Sequence, residues 1–245
     1  MNFSEIWNKG FLYQLTSSFN LSTEVGYIIT VAAVIVCMAA GYFLGSINPS
    51  IIISAKLYKD DIRRHGSGNA GMTNVMRTYG KKMAIITFAG DFLKAVISTL
   101  IGRALFGYYG AMLAGFFCFL GHIFPCYYKF KGGKGVVTAC GLILMTDPLV
   151  CLILFVLFVV LVAITKYISL GSVVCLLVYP IILHNIKGNY MGIPVLIAFL
   201  MGLLCAFAHR SNIKRIINGN ENQFTFKVKD KKTVKEEASE EESEN

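Results

Sequence analysis

The sequence contains several long runs of apolar residues, each close to the length that a helix needs to cross a lipid bilayer. A hydrocarbon core about 30 Å thick requires about 20 helical residues. The runs lack the alternation of apolar and polar residues that marks the strands of a membrane β-barrel. Hydrophobic residues make up 55% of the 245 residues and charged residues only 15%, which excludes an ordinary soluble domain. The sequence therefore predicts an all-α, polytopic integral membrane protein.

Seven transmembrane helices are predicted within a single domain that covers residues 1–226. The first span, at about 26–57, is longer than one crossing needs and is interrupted near its end by Gly45, Asn48 and Pro49. We read that interruption either as the lining of a polar cavity or as a proline kink with no further role. The later spans are predicted at about 83–104, 109–128 and 135–146, in a fifth segment ending near 165, and at about 170–183 and 191–208.

The two ends of the sequence differ from the apolar middle. Residues 1–22 mix charged and apolar residues around the only tryptophan, Trp7, which favours an interfacial segment over a signal peptide. Residues 227–245 change from lysine-rich to glutamate- and serine-rich, with almost nothing to bury. We therefore expect a disordered, charged cytoplasmic tail.

The basic residues are distributed unequally about the predicted spans. Of the 23 Lys and Arg residues, 19 fall on one side, and such an excess marks the cytoplasmic face. This predicts an N-terminus outside and a C-terminus in the cytoplasm, and it explains the net charge of +9 without nucleic acid as a partner. The seven cysteines are scattered singly, so neither a disulfide nor a metal site is expected.

Three polar clusters lie on the predicted cytoplasmic side, at 63–81, 129–138 and 209–224. The first interleaves glycines with polar residues that suit phosphate oxygens. These residues are Ser67, Asn69, Thr73, Asn74 and Arg77. The alternative interpretation of this cluster is a polar surface loop that ends in a capped helix. Because all three clusters adjoin spans, we expect them to converge where a lipid and a soluble anion meet.

The second cluster contains Gly132, Gly133, Lys134 and Gly135 at the start of an apolar segment. Glycines allow backbone amides to approach an anion closely, and the lysine and the N-terminal end of the next helix add positive charge. The pattern matches neither a P-loop nor a dinucleotide-binding fingerprint, so a nucleotide site is rejected. We expect a phosphate cradle at the membrane edge.

The third cluster places His209 and Asn212 three residues apart, on one face of a continuing helix. The imidazole is a candidate proton acceptor from an alcohol, or else a plain interfacial residue. Glu221 either bonds a polar substrate group or is a turn residue. Within the second span, Asp91 and Lys94 are expected either to form a mutual ion pair or to contact substrate.

Several kinds of catalytic motif are missing from the sequence. It has no HxxxxD pair, no GxSxG elbow, no HExxH motif and no His/Cys metal set. A membrane phosphatase would need such a nucleophile or metal set. A transporter or lipid flippase for phosphorylated solutes would use similar anion-binding groups, but near the middle of the membrane and often within internal repeats.

Five blocks occur in order along the sequence: GSINPSIIISAKL, DIRRHGSGNAGMTNVMRTYGKK, GDFLKA, GHIFPCYYKFKGGKGVVTA and HRSNIKRIINGNEN. Over about residues 25–226 this arrangement resembles the acyl-phosphate-dependent glycerol-3-phosphate acyltransferases, the PlsY family of bacteria. The resemblance implies transfer of a fatty acyl group from acyl phosphate to the 1-position of sn-glycerol 3-phosphate, giving lysophosphatidic acid and phosphate. It also implies seven helices in the bacterial plasma membrane, a cytoplasmic active site, no cofactor or metal, and a separate enzyme that supplies the acyl phosphate.

The resemblance also implies roles for individual residues. Ser67 and Arg77 match residues needed for activity, Lys134 and its glycines match the phosphate loop, and His209 and Asn212 match a HxxN pair. Glu221 matches the acid of a GxEN block. The sequence departs from the family pattern at Asn48-Pro49, Met72, Ala95 and Asn220, which bears on the shape of the acyl pocket but leaves the polar set intact.

An acyl phosphate is already activated, so positioning and charge stabilisation are the main catalytic tasks. The glycerol hydroxyl is expected to attack the acyl carbonyl and to give its proton either to His209 or to the leaving phosphate. Ser67 is expected to orient the acyl phosphate, since a covalent acyl-serine would need an adjacent base.

Overall fold

The structure is a computed structural model, which describes residues 9–12, 23–188 and 192–224. Apart from 9–12, the predicted interfacial segment lies outside the described residues. The predicted tail at 227–245 also lies outside them.

Every regular element in the described ranges is helical, as predicted. The α-helices are α1 (Thr23–Ser46), α2 (Pro49–Leu57), α3 (Met72–Tyr79), α4 (Lys81–Ile123), α5 (Val136–Thr146), α6 (Pro148–Thr165), α7 (Ile168–Ile186), α8 (Ile193–Ala208) and α9 (Arg210–Ile217). Two short 3₁₀ helices, Ile62–Arg64 and Cys126–Tyr128, lie in the loops that follow α2 and α4.

The first predicted span is divided into α1 and α2 at the interruption seen in the sequence. Asn48 caps α2, because its side-chain oxygen accepts hydrogen bonds from the backbone N–H groups of Ser50 and Ile51 at 3.1 and 3.3 Å. Pro49 occupies the first helical position, where a missing N–H costs nothing. The break is therefore built by local sequence.

Helix α4 contains two of the predicted spans, joined by a sharp reversal. Phe106 and Gly107 have non-helical backbone angles, with φ of +60° at Gly107. A Cβ on Gly102 would lie 2.1 Å from the carbonyl oxygen of Gly110, and one on Gly115 would lie 2.8 Å from Thr99. The two arms therefore fold back as an antiparallel helical hairpin, in which glycines permit the close approach.

Within the described ranges, four stretches are long and apolar enough to cross a bilayer: 24–57, 81–128, α6 and α7. A fifth is counted if α8 and α9, which meet at a bend of 60°, are taken as one span. Helix α5 has 11 residues and is only about 16 Å long, too short to cross alone. Seven crossings therefore stay a prediction, which counts both arms of α4 and the short α5.

Helix α1 packs against the second arm of α4 through a GxxxG pair. A Cβ on Gly41 would lie 2.3 Å from the carbonyl oxygen of Ala114, and one on Gly45 would lie 2.1 Å from that of Cys118. Small residues at this spacing let two backbones approach closely, which is how helices associate without a hydrophobic driving force in lipid.

The main core lies between the second arm of α4 and helices α5, α7 and α8. Phe119, Leu142, Tyr179 and Met201 are completely buried there. Helix α6 covers this core with one face, while most of its apolar side chains point outward, as lipid contact requires. A smaller cluster of buried apolar residues lies beside the first polar cluster and includes some of its residues. Its members are Ile51, Ile62, Ala70, Val75 and Ala84.

The close contact at Gly45 gives a stability prediction. Gly45→Ala is expected to destabilise the protein by roughly 1–3 kcal/mol, because the added methyl group overlaps a backbone carbonyl that cannot swing aside. Thermal unfolding of the purified protein in detergent measures the change. Gly26→Ala, in the same helix, is the matched control, since a Cβ there meets no atom within 4 Å. Equal unfolding temperatures for the two variants would contradict the packing described here.

Candidate active site

The three polar clusters, far apart in sequence, line one cavity of about 540 Å³. The polar residues of its wall are Ser67, Asn69, Thr73, Asn74, Arg77, Asp91, His122, Lys134, Ser169, Ser172, His209, Asn212, Glu221 and Asn222. The expected convergence of the clusters is therefore present in the structure. Helices α3, α4, α7 and α9 contribute polar residues to this wall, and Lys134 joins them from just before α5.

The second and third clusters are joined by a direct contact. Lys134 Nζ, just before α5, donates a hydrogen bond to Asn212 Oδ1 in α9 at 2.5 Å. Asn212 Nδ2 donates in turn to Glu221 Oε1 at 2.6 Å. This chain of polar groups aligns an ammonium group and a carboxylate across one side of the cavity.

Glu221 is the centre of a wider network. Its Oε1 also accepts a hydrogen bond from the Ser169 hydroxyl, and its Oε2 accepts one from Arg215 Nε, both at 2.8 Å. Burial raises the pKa of Glu221, but hydrogen bonds from Asn212, Ser169 and Arg215 lower it more, so that the net shift is downward. Sequence reasoning missed Ser169 and Arg215. Only the position of Arg215 inside a basic cluster hinted at a role.

The Lys134 ammonium is partly stripped of water. Burial lowers its pKa to about 8, with the positive charges of Arg215 and Arg77 acting in the same direction and Glu221 opposing them. An anion that enters this end of the cavity would replace the lost solvation. The site is therefore suited to a negatively charged ligand.

His209 follows the last apolar helix and is almost completely buried. Its Nδ1 lies 2.9 Å from the carbonyl oxygen of Cys205, which assigns the ring proton to Nδ1 and leaves Nε2 as an acceptor. Burial lowers the pKa of His209 to about 4, and the neighbouring charge of Lys134 contributes. The imidazole is therefore neutral near pH 7 and is a weak base.

Arg77, contributed by α3, lines another part of the cavity. The side chain is exposed, lines the cavity, and makes no hydrogen bond or ion pair with any residue in the described ranges. Ser67, Asn69 and Thr73 line the same wall. A cation with hydroxyl and amide neighbours provides the donors that phosphate oxygens need.

Asn74 was expected to contact phosphate, but its carboxamide is occupied by the loop itself. The Oδ1 atom accepts from the backbone N–H of Ser67 at 3.0 Å. The Nδ2 group lies 3.1, 2.9 and 3.1 Å from the carbonyl oxygens of Ile62, His65 and Asn69. The side chain is buried because these bonds satisfy it, and we reassign it to holding Ser67 in place.

Gly132 and Gly133, which were expected to bind phosphate, have their backbone amides paired within the protein. Their N–H groups donate to the carbonyl oxygens of Ile123 and His122 at 3.2 and 3.0 Å, so these amides are already occupied, and neither glycine lines the cavity. A Cβ on Gly133 would lie 2.0 Å from His122 Nε2. The two glycines instead let the loop pack directly against the end of α4.

Lys134 and Gly135 do line the cavity, and helix α5 begins immediately after them. Gly135 has a left-handed φ of +83°, and a Cβ there would lie 2.2 Å from the ring of Phe119. No side chain caps α5, whose first residue, Val136, lines the cavity. Its first-turn amides, rather than those of Gly132 and Gly133, are therefore available as backbone donors beside the cavity.

The ion pair between Asp91 and Lys94 is present, with Lys94 Nζ 2.8 Å from Asp91 Oδ1. Lys94 also donates to the carbonyl oxygens of Gly45 and Ile47 at 2.9 and 2.7 Å, at the break after α1. Its Nζ lies 2.9 Å from His122 Nδ1. Lys94 thus connects the break between α1 and α2 to His122, whose ring packs against Gly133. Asp91 and His122 both line the cavity, and His122 was missed from the sequence.

The other end of the cavity is apolar and lies between α5, α6 and α7. Its wall includes Val137, Cys140, Ile143, Cys151, Leu154, Phe155, Phe158, Cys175 and Leu176. The cysteines are free thiols. The cavity therefore combines a charged end with a hydrocarbon-like end.

In a helical membrane protein, a cavity with a charged end and an apolar end suits an anionic amphiphile. The family model described as "Glycerol-3-phosphate acyltransferase" matches residues 35–219, and the chain belongs to this family. It is 44% identical over 202 residues to the glycerol-3-phosphate acyltransferase of Finegoldia magna, covering 81% of this chain and 98% of that one. The enzyme of Thermoanaerobacter pseudethanolicus is 42% identical over 187 residues, covering 76% of this chain and 93% of that one.

Solved structures support the same assignment. The chain is similar to PlsY (YgiH), an integral membrane glycerol 3-phosphate acyltransferase, in its glycerol 3-phosphate form. The TM-score is 0.72 at 35% identity, covering 79% of this chain and 96% of that one. The lysophosphatidic acid form gives a TM-score of 0.70 at 34% identity, with the same coverage.

The packing of the glycine loop gives a prediction for Gly133→Ala. The added methyl group overlaps an imidazole that Lys94 holds, so the loop should move and Lys134 with it. We expect acyltransferase activity to fall at least about tenfold, since small misplacements of binding groups are costly. In a His122→Ala background the overlap with the imidazole is removed, although the Ala70 carbonyl oxygen still lies 2.9 Å from the added Cβ. Adding Gly133→Ala should therefore lower activity by a smaller factor in that background. An equal loss in both backgrounds would refute the packing explanation.

Proposed function

We propose that this protein transfers a fatty acyl group from acyl phosphate to the 1-position of sn-glycerol 3-phosphate, releasing lysophosphatidic acid and phosphate. The observation that carries the proposal is the single cavity whose charged end continues into an apolar end. The names of its relatives supply the acceptor, and a related structure was solved with the product. An acyl phosphate fits the same cavity because it combines a hydrocarbon chain with a phosphate.

The charged end offers two anion-binding walls. Lys134 and the first turn of α5 form one wall, which we assign to glycerol 3-phosphate. Arg77, with Ser67 and Thr73, forms the other, which we assign to the acyl phosphate. Two phosphates that repel each other are thereby brought close by two cations on separate segments.

The apolar end is assigned to the acyl chain. Helices α5, α6 and α7 supply aliphatic and aromatic side chains there, with no charged residue among the lining residues of these three helices. A fatty chain placed between them stays in a hydrocarbon environment, so binding requires no transfer of that chain into water.

The reaction proceeds by attack of the glycerol 1-hydroxyl oxygen on the acyl carbonyl carbon. A new C–O ester bond forms, the C–O bond to phosphate breaks, and the hydroxyl proton ends on the released phosphate. Because burial lowers the pKa of His209 to about 4, we assign the proton to the phosphate and a hydrogen-bonding role to His209. Ser67 is assigned to orientation, since no imidazole in the described ranges hydrogen-bonds its hydroxyl.

We place the protein in the bacterial plasma membrane with seven crossings and the charged end of the cavity on the cytoplasmic side. The two arms of α4 and the short α5 complete the count. The polar clusters that line the cavity carry much of the excess of Lys and Arg, which favours this orientation. A separate acyl-phosphate-producing enzyme would deliver the donor from the same side, as the first step of phospholipid synthesis.

The donor is tested with the purified protein, palmitoyl phosphate and labelled glycerol 3-phosphate, without coenzyme A or carrier protein. We expect labelled lysophosphatidic acid and an equal amount of phosphate. Product formation only when acyl-CoA or acyl carrier protein is supplied would show that the proposed donor is wrong, while the family assignment would stand.

The Lys134 charge should make binding depend on pH. Below its pKa of about 8 the ammonium is charged and attracts phosphate, and above that pKa it is neutral. We therefore expect kcat/KM for glycerol 3-phosphate to fall as the pH rises through about 8. Lys134→Ala should lose activity mainly through a higher KM. Lys134→Arg keeps its charge at all these pH values, so kcat/KM of this variant should not fall as the pH rises through about 8. If kcat/KM of Lys134→Arg falls as it does in the wild type, the titrating group is not Lys134.

The role of His209 is tested by His209→Ala. If the phosphate takes the proton, removing a hydrogen-bonding imidazole should lower kcat by less than about tenfold, with an unaltered pH profile. A general base contributes roughly 10²–10⁴-fold to the rate. A larger loss of kcat, together with a changed acidic limb of the pH profile, would therefore show that His209 accepts the proton. Unfolding temperatures of the variant and the wild type control for loss of folded protein.

A further inference from the structure

The side chain of Arg63 connects the first and second polar clusters. Its Nε and Nη2 donate to Asp61 Oδ1 and Oδ2 at 2.9 and 2.7 Å. Its Nη1 lies 3.0 Å from the carbonyl oxygen of Tyr128 and 3.2 Å from that of Lys131. One guanidinium therefore holds a carboxylate of its own loop and two backbone carbonyls of the loop that leads to Lys134. We call this set of contacts the Arg63 clamp.

The carbonyl groups of Tyr128 and Lys131 flank two residues whose backbone conformation is unfavourable. Lys129 and Phe130, which lie between them, both have a left-handed φ of 57°. Residues other than glycine rarely adopt this conformation, because Cβ crowds the following carbonyl oxygen. Two in succession reverse the chain just before the glycine loop. Arg63 hydrogen-bonds to the residues on both sides of this turn, so the clamp fixes where the glycine loop begins.

The other end of the clamp belongs to the wall that carries Arg77. Arg63 lies in the 3₁₀ helix Ile62–Arg64, and Asn74 Nδ2 donates to the carbonyl oxygen of Ile62. Asn74 lies in α3 together with Arg77 and also holds the backbone of Ser67. The clamp is thus attached through hydrogen bonds to both anion-binding walls.

We propose that Arg63 is a positioning residue for acyl transfer, which sets the separation between the wall of Ser67 and Arg77 and the wall of Lys134. It does not line the cavity and so touches neither substrate. The inference rests on the proposed function, in which each wall holds one phosphate. Loss of the clamp would let the two phosphates move apart, and a shift of about 1 Å between reacting groups costs on the order of a hundredfold in rate.

The neighbouring Arg64 provides a matched control. It carries the same charge in the same 3₁₀ helix, but it is exposed. Initial rates with palmitoyl phosphate and glycerol 3-phosphate compare the two positions. We expect Arg63→Ala to lower kcat/KM roughly 10–100-fold, and Arg64→Ala to stay within about twofold, as is usual for a surface substitution. Arg63→Lys should recover only part of the loss, because an ammonium cannot reproduce the planar fork.

A double substitution separates positioning from general damage. If Arg63 acts by placing Arg77 against Lys134, its removal should matter little once Arg77 is gone. We therefore expect Arg63→Ala to cost less than about threefold in an Arg77→Ala background, as coupled residues are non-additive. The same fold loss in both backgrounds, or a loss matched by Arg64→Ala, would overturn the proposal.

The experiments distinguish failure of the positioning role of Arg63 from failure of the proposed acyl-phosphate donor. If the wild type requires a donor other than acyl phosphate, the proposed donor fails, and the same comparison of Arg63 and Arg64 variants is made with the donor that works. If the wild type uses acyl phosphate and Arg63→Ala matches Arg64→Ala, the positioning role fails alone.

Discussion

The hydrogen bond from the Lys134 ammonium to Asn212 joins segments that are 78 residues apart, and the organisation of the polar cavity depends on it. Through this bond the start of α5 meets α9, and through Glu221 the contact extends to Ser169 in α7. Each partner satisfies a group that would be costly to bury alone. A ligand phosphate would enter a site whose cation is already aligned, so little reorganisation is needed on binding.

Much of the polar chemistry near this cavity serves the chain itself. Asn74 uses its carboxamide to hold the loop of Ser67, and the Gly133 amide bonds the end of α4. Lys94 caps the broken end of α1 while paired with Asp91. These groups satisfy irregular backbone between apolar helices, where unpaired amides are costly. Arg77 and Lys134, the Lys and Arg residues of the described ranges that line the cavity, therefore extend from backbone that these contacts hold in place.

Sequence patterns predicted the helical class, the break at Asn48 and a boundary between two spans at about 104–109, because hydrophobic run length and local turn chemistry act over a few residues. They did not identify Ser169 or His122, since a lone serine or histidine in an apolar helix has no distinguishing neighbours. The contacts of Gly132 and Gly133 with the end of α4 were not predicted either. A glycine-rich loop looks the same in sequence whether its amides face a ligand or the end of another helix.

The sequence by itself determined that this chain is an all-helical membrane protein of the glycerol-3-phosphate acyltransferase family, with three polar clusters between its apolar segments. Only the tertiary structure decided which members of those clusters face the common cavity and which support the backbone. The reason is physical: the partners of Lys134, Asn74 and Arg63 include groups contributed by segments distant in sequence or by backbone atoms. Their pairing is set by how the helices pack, which no local pattern records.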